Sequence, residues 1–308
     1  MKWTHDLSAF RRGARLLLIL SAVAAGVVAT PTPARAQVVL PEAGDSTLWE
    51  FSLADGAVVV GRVVAATADR ITIETAAGAR VDVARAQVRG VRRAHGQIRD
   101  GAYWFEDPNH TRLLLISPTG RSLRQGEGYV SAFWIFLPFV AYGVTDNFTI
   151  AGGTPILPYI FGRVVYLAPK LRVLSQPGLD VSVGALSFFL TEEADEGTAG
   201  IAYGVGTFGN TNRSLTVGAG WAYAFGGGSS WADNRPAVLF GGDTRIARSV
   251  KLVTENFFIP GESGTLMSGG IRFFGERLAV DFGILGLVGD GRFDWFPAGN
   301  FVYNFGGR

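Results

Sequence analysis

The sequence predicts an all-β protein: a roughly 12-stranded antiparallel transmembrane β-barrel, its strands near the ~9–11 residues that a tilted crossing needs, preceded by a small β domain. Three observations carry this. In Ser214–Phe225 the odd positions Leu215, Val217, Ala219, Trp221, Tyr223 and Phe225 are apolar and mostly large, while the even positions are Ser, Thr, Gly and Ala. Strand side chains alternate between two faces. A soluble sandwich would put Lys, Glu or Asp on its outer face, so the pattern places large residues on lipid and small ones in a crowded or wet barrel interior. Second, strand-like runs and turns alternate regularly from residue 111 to residue 305. Third, the chain is 48% hydrophobic and 18% charged with 42 glycines, and after its N-terminus it has no run of 18 apolar residues. A helical inner-membrane protein is thereby disfavoured.

Residues 1–36 read as a secretory signal peptide. Lys2, Arg11, Arg12 and Arg15 form a basic region, Leu16–Val28 a short apolar core, and Ala34-Arg35-Ala36 a cleavage signal. The core is shorter than the roughly 20 residues of a spanning helix. Removing this segment takes five of the 28 bases and one of the 26 acids, leaving 23 against 25 and a net charge of −2. The basic pI is therefore no argument for nucleic acid. There is no cysteine, which excludes disulfides, thiolate metal sites and a Cys nucleophile.

Residues 37–47 read as a flexible lead-in, and residues 48–93 as a compact periplasmic β domain. Val58–Val64, Ile71–Thr75, Arg80–Val83 and Val88–Val91 give short strands at close spacing, suggesting an SH3-like or Sm-like barrel. Such a domain serves either as a plug or spacer or as a recognition module for a periplasmic partner; no aromatic stacking set points to RNA. Arg85, Arg89, Arg92 and Arg93 read as a solvated basic face. Residues 94–110 are a linker, with Tyr103-Trp104-Phe105 placed for the membrane interface.

The barrel is assigned to residues 111–308, with strands near 111–117, 128–144, 148–157, 164–175, 179–190, 198–208, 214–225, 237–247, 250–259, 265–274, 278–288 and 298–305. Short turns at 145–147, 176–178, 209–213, 248–249 and 275–277 alternate with longer connections at 118–127, 158–163, 191–197, 226–236, 260–264 and 289–297. This fits periplasmic turns and outer loops. Run 128–144 is apolar on both faces and contains Pro138, for which a bulge or bend is expected. Trp134, Tyr142, Tyr166, Trp221 and Trp295 are candidates for the aromatic girdles. Phe301, Tyr303 and Phe305 on one face of the last strand resemble the C-terminal signal read by the barrel-assembly machinery, although Gly306-Gly307-Arg308 follows.

The stretch Pro108–Gly153 contains Thr111-Arg112, Ser117-Pro118-Thr119, Gly126-Glu127-Gly128-Tyr129 and Tyr142-Gly143-Val144-Thr145-Asp146-Asn147. It resembles an uncharacterised family of bacterial outer-membrane β-barrel proteins. The resemblance implies fold and location, and no activity.

Charged residues opposite the lipid-facing positions should line the interior, because Lys or Arg on the lipid face costs about 2–4 kcal/mol. The candidates are Lys170, Arg172, Asp243, Arg245, Lys251, Glu255, Arg272 and Asp281. They read as the lining of a porin-like passage for small polar solutes. Equally, they read as a salt-bridged network filling a plugged lumen, in a structural or interaction protein with a partner-binding periplasmic domain. The only histidines are His5, His95 and His110, so a barrel hydrolase would lack a histidine base in its strands, and no cofactor or metal is expected. The acidic stretch 192–196 reads as a solvated loop. The remaining expected partners are outer-membrane lipids, and a soluble β-sandwich is the alternative fold.

Overall fold

The computed structural model describes residues 40–157, 162–190, 197–226, 229–232, 235–258, 264–289 and 292–306. The signal-peptide assignment and the acidic stretch 192–196 lie outside the described residues. The chain divides into two compact units between Glu106 and Asp107.

In the first unit β1 (Trp49–Leu53), β2 (Val58–Ala66), β3 (Arg70–Thr75), β4 (Arg80–Ala84) and β5 (Val88–Arg93) form one antiparallel sheet in the order β4-β3-β2-β1-β5. A 3-10 turn, Arg85–Gln87, leads into β5. Period-2 alternation places Phe51, Val63, Ile71, Ile73, Val83 and Val88 in one buried core. The segment expected to be a flexible lead-in is tied down where described: Leu40 packs on that core, Gly44 N–H donates to the Val63 carbonyl, and Asp45 accepts from Thr47 N–H and the Trp49 indole. The expected linker contains a hairpin of β6 (Gly96–Arg99) and β7 (Ala102–Phe105), where the Arg99 guanidinium lies 4.8 Å over the Trp104 ring.

The second unit is a closed barrel. Its strands are β8 (Gly128–Phe133), β9 (Leu137–Gly143), β10 (Phe148–Gly153), β11 (Val164–Leu167) with β12 (Lys170–Gln176), β13 (Leu179–Leu190), β14 (Gly197–Asn210), β15 (Arg213–Gly226), β17 (Ala237–Ala247), β18 (Val250–Phe258), β19 (Gly264–Phe274), β20 (Leu278–Gly289) and β21 (Arg292–Phe305); β16 (Ser229–Ala232) pairs only with β15. β11 and β12 are halves of one strand, broken at Ala168-Pro169, where proline has no N–H for the ladder. Twelve strands thus pair antiparallel around the ring, and β21 with β8 completes the circuit.

The count of twelve arises differently from the expected assignment. Run 111–117 is not a wall strand, and run 128–144 is two strands. The reversal falls at Trp134 and Ile135, with φ of 47° and 66°, and Pro138 sits inside β9, paired with Ala132. Two bonds hold this turn: Trp134 N–H to the Gly299 carbonyl at 3.0 Å, and its indole to the Pro297 carbonyl at 2.8 Å.

The faces sort as the alternation requires. Leu215, Val217, Trp221 and Phe225 are exposed on the outer surface, while Ser214 and Thr216 are buried inside. The same outer band carries Leu171, Phe240, Leu252, Phe282, Ile284 and Phe301. In water this surface would be an aggregation hazard; facing lipid it is the transmembrane belt. Tyr166, assigned above to a girdle, is instead buried, and its hydroxyl donates to the Pro138 carbonyl.

Candidate functional site

The barrel is not empty. Residues 107–127 enter it as an insert, the segment expected to supply the first wall strand and the first outer loop. Asp107 starts it: its carboxylate accepts from Asn109 N–H and Asn109 Nδ2 at 2.8 and 2.9 Å. A short antiparallel bridge between Arg112 and Pro118 follows, with Thr119 N–H donating to the Thr111 carbonyl and Leu113 N–H to the Ser117 carbonyl. Leu113, Leu114 and Leu115 at the tip are buried against Val205, Leu239, Val253, Leu285 and Ala298. The wall here is flat because glycines face the tip. A Cβ on Gly241 would lie 2.9 Å from Leu113, and one on Gly270 or Gly283 would lie 2.8 or 3.0 Å from Leu114. The small inner face read from β15 thus has a counterpart on three other strands, where it makes room for leucine.

On the return path Gly120 presses its backbone on the wall. It donates to Thr207 Oγ1 at 2.8 Å and accepts from Ser182 Oγ at 2.7 Å. A Cβ there would stand 2.2 Å from the Asp180 carbonyl oxygen. His110, expected before the first strand, is buried in the insert with Nδ1 at 2.9 Å from the Asp107 carbonyl.

Six of the eight candidate lining residues are buried and engaged with the insert or with one another. Lys251 contacts Asp107 at 2.8 Å and Asp243 at 3.0 Å. Arg272 Nε pairs with Asp281 at 2.7 Å, and its other nitrogens donate to the Leu113 and Asn109 carbonyls. Arg112, from the insert, pairs with the same Asp281 at 2.5 Å. Adjacent strands in register create this row, since Lys251 lies opposite Arg272, and Arg272 opposite Asp281. Within this row the wall supplies Lys251 and Arg272 against Asp243 and Asp281, and the insert supplies Arg112 against Asp107, so both sides of the row are balanced; the insert's other buried base, Arg121, pairs with Asp180 on the wall at 3.6 Å. That balance matters because a lone buried charge costs several kcal/mol.

The remaining two of the six grip backbone instead of counter-ions. Lys170 donates to the carbonyls of Thr111, Thr119 and Arg121 at 3.4, 3.2 and 2.5 Å. Glu255 accepts from Leu115 N–H at 2.7 Å, Ser117 N–H at 3.2 Å and Ser117 Oγ at 2.6 Å. A cation thus holds the carbonyls at the root of the insert, and an anion holds the amides at its tip.

Arg172 and Arg245 are placed elsewhere, at the short-turn end. Arg172 donates to Asn147 Oδ1 and the Asp146 carbonyl. Arg245 donates to Asn212 Oδ1 at 2.9 Å and lies over the Phe274 ring. Of the eight residues expected either to line a passage or to fill the lumen as a salt-bridged network, six are thus committed to the insert and to one another, while these two arginines brace turns. The polar runs flanking Leu113–Ile116, Asn109–Arg112 before it and Ser117–Ser122 after it, were the signal against a wall strand here; Leu113–Leu115 are buried in the barrel and Ile116 is exposed. Among the described residues no group of three or more His, Asp or Glu is placed to hold a metal ion.

No family model matches the chain, and no curated protein matches it. Solved structures similar to it include the NanC porin, 8% identical, covering 58% of this chain and 97% of that one with a TM-score of 0.39. The KdgM porin in complex with disordered oligogalacturonate is also 8% identical, covering 58% of this chain and 98% of that one at 0.41. OmpT of Vibrio cholerae is 13% identical, covering 87% of this chain and 98% of that one at 0.32. None of these matches carries over a side chain or an activity.

Proposed function

We propose that the protein is a porin-like outer-membrane barrel in its closed form, with the insert 107–127 as the gate to passage of small polar solutes. One observation carries this reading. The wall charges Asp243, Lys251, Arg272 and Asp281 are balanced among themselves, so withdrawing the insert would leave a polar lining without a net buried charge. Two further holds on the insert, Lys170 and Glu255, bind its backbone. The small N-terminal unit is proposed to be a periplasmic SH3-like domain, supported by its strand order and by the 3-10 turn before its last strand.

A second reading has its own support: Leu113–Leu115 packed on an apolar floor favours a permanently plugged barrel with a structural or interaction role. Single-channel recording of the refolded chain separates the two. The gate reading expects rare, brief openings that lengthen when the insert's holds are weakened. Silence of both wild type and folded, weakened variants overturns it and leaves the plugged barrel.

A further inference from the structure

We propose that the barrel binds a small monocarboxylate with an apolar body, in a cavity over the insert with Lys170 at its floor. The cavity has a volume of about 290 Å³, at the lower end of ligand pockets, which run about 300–1,000 Å³. It lies toward the loop end of the barrel, between walls that include Phe139, Leu186, Phe188, Tyr203, Leu239 and Phe257. The insert supplies Thr111, Arg112 and Ser117 as its base. Water in such a space finds few partners, since each buried water needs 2–4 polar contacts; an apolar body fits the walls better.

The floor determines the other end of the ligand. Lys170 is only 5% exposed, and among the described residues no carboxylate comes within 4.0 Å of its ammonium, whose contacts are three carbonyls. Beside it, Thr111 Oγ1 and Arg112 Nε have no hydrogen-bond partner. The carboxylate that acts on it from farther away, Asp180, is shared with Arg121 and Arg172; a buried cation so weakly compensated is costly, and an anion above it relieves that cost. The site offers one such charge, because Arg112 is already paired with Asp281. A monoanion therefore matches, whereas a phosphate monoester, at about −1.5 to −2, exceeds it. This inference does not need the barrel to conduct, only the cavity to be filled.

The test is calorimetric titration of the full mature chain in lipid nanodiscs with octanoate and with 1-octanol, against empty nanodiscs. The expected result is one octanoate per barrel, bound at least about tenfold tighter than octanol, or about 1.4 kcal/mol. Ala237→Phe fills the cavity from the inward face that Ala237 shares with Leu239. It should weaken octanoate by about tenfold or more while the barrel keeps its heat-modifiable migration. Lys170→Met should reduce octanoate to the affinity of octanol, and Lys170→Arg should restore the preference. Equal affinity for the two probes overturns the anionic anchor, and binding indifferent to Ala237→Phe overturns the cavity. Should Lys170→Met fail to fold, the wild-type probe pair and Ala237→Phe still decide. Because titration reads no current, its failure is distinct from failure of the gate.

Discussion

Glu255→Gln is the most informative single change. The carboxylate is fully buried and accepts three hydrogen bonds from the tip of the insert, at 2.7, 3.2 and 2.6 Å. Hydrogen bonds to a charged group contribute about 1.5–3 kcal/mol each, so the three sum to roughly 4.5–9 kcal/mol. Burying a carboxylate without a cation offsets several kcal/mol of this. Glutamine has nearly the same shape but turns one acceptor into a donor, which then meets a backbone N–H and leaves a buried donor unsatisfied at about 1–3 kcal/mol. The net loss of hold on the tip is about 2–3 kcal/mol, a factor of roughly 30–150 in the closed-to-open ratio. Open probability in a planar bilayer is the assay, with folding checked by heat-modifiable migration. A folded Glu255→Gln barrel whose open probability equals wild type would refute the reasoning, since the anchor would then be holding nothing that moves.

Other outcomes follow from the same contacts. Leu114→Ala empties the space above Gly270 and Gly283 and should destabilise the barrel by about 2–5 kcal/mol, read from the denaturant midpoint. Asp107→Ala leaves Lys251 with Asp243 alone, and should cost about 3–5 kcal/mol by the same measurement. Gly120→Ala drives a methyl to within 2.2 Å of the Asp180 carbonyl; because backbone is the obstacle, the insert should unseat, seen as protease cleavage within 107–127 that wild type resists. Deleting residues 40–105 should leave barrel insertion intact, and loss of heat-modifiable folding would show that the N-terminal unit is integral to the barrel.

The belt was legible in the sequence because it is written in the simplest code a strand has. In β15 every second residue faces lipid, and nothing interrupts the alternation from Leu215 to Phe225. The short-turn set was legible for a similar reason: Asp146-Asn147 and Pro177-Gly178 are turn chemistry, and Gly178 takes φ of +80°. The β8–β9 turn was hidden because Trp134-Ile135-Phe136 contains no turn residue. It is held by bonds to Gly299 and Pro297, more than 160 positions away. The insert was misread because Leu113–Ile116 has the length and apolarity of part of a membrane strand. What distinguishes it is its environment, glycines on β17, β19 and β20, of which the only local trace is the polar run on either side. The cost of charge in lipid points Lys170, Lys251, Glu255, Arg272 and Asp281 inward. That cost tells which way a side chain must point, but it is blind to whether water or another segment meets it there.

The glycine floor also fixes an order of events. The insert precedes the first wall strand in the chain, yet its seat is built from β17, β19 and β20, and its charged contacts span 169 positions from Arg112 to Asp281 and 140 from Leu115 to Glu255. Such long-range contacts form late, because the intervening chain must first be brought together. The part of the barrel that is synthesised first is therefore the part seated last. Until β20 is in place, part of the floor under Leu114 and the carboxylate that pairs with Arg112 are both missing, so the seat stays incomplete while the earlier strands of the wall form.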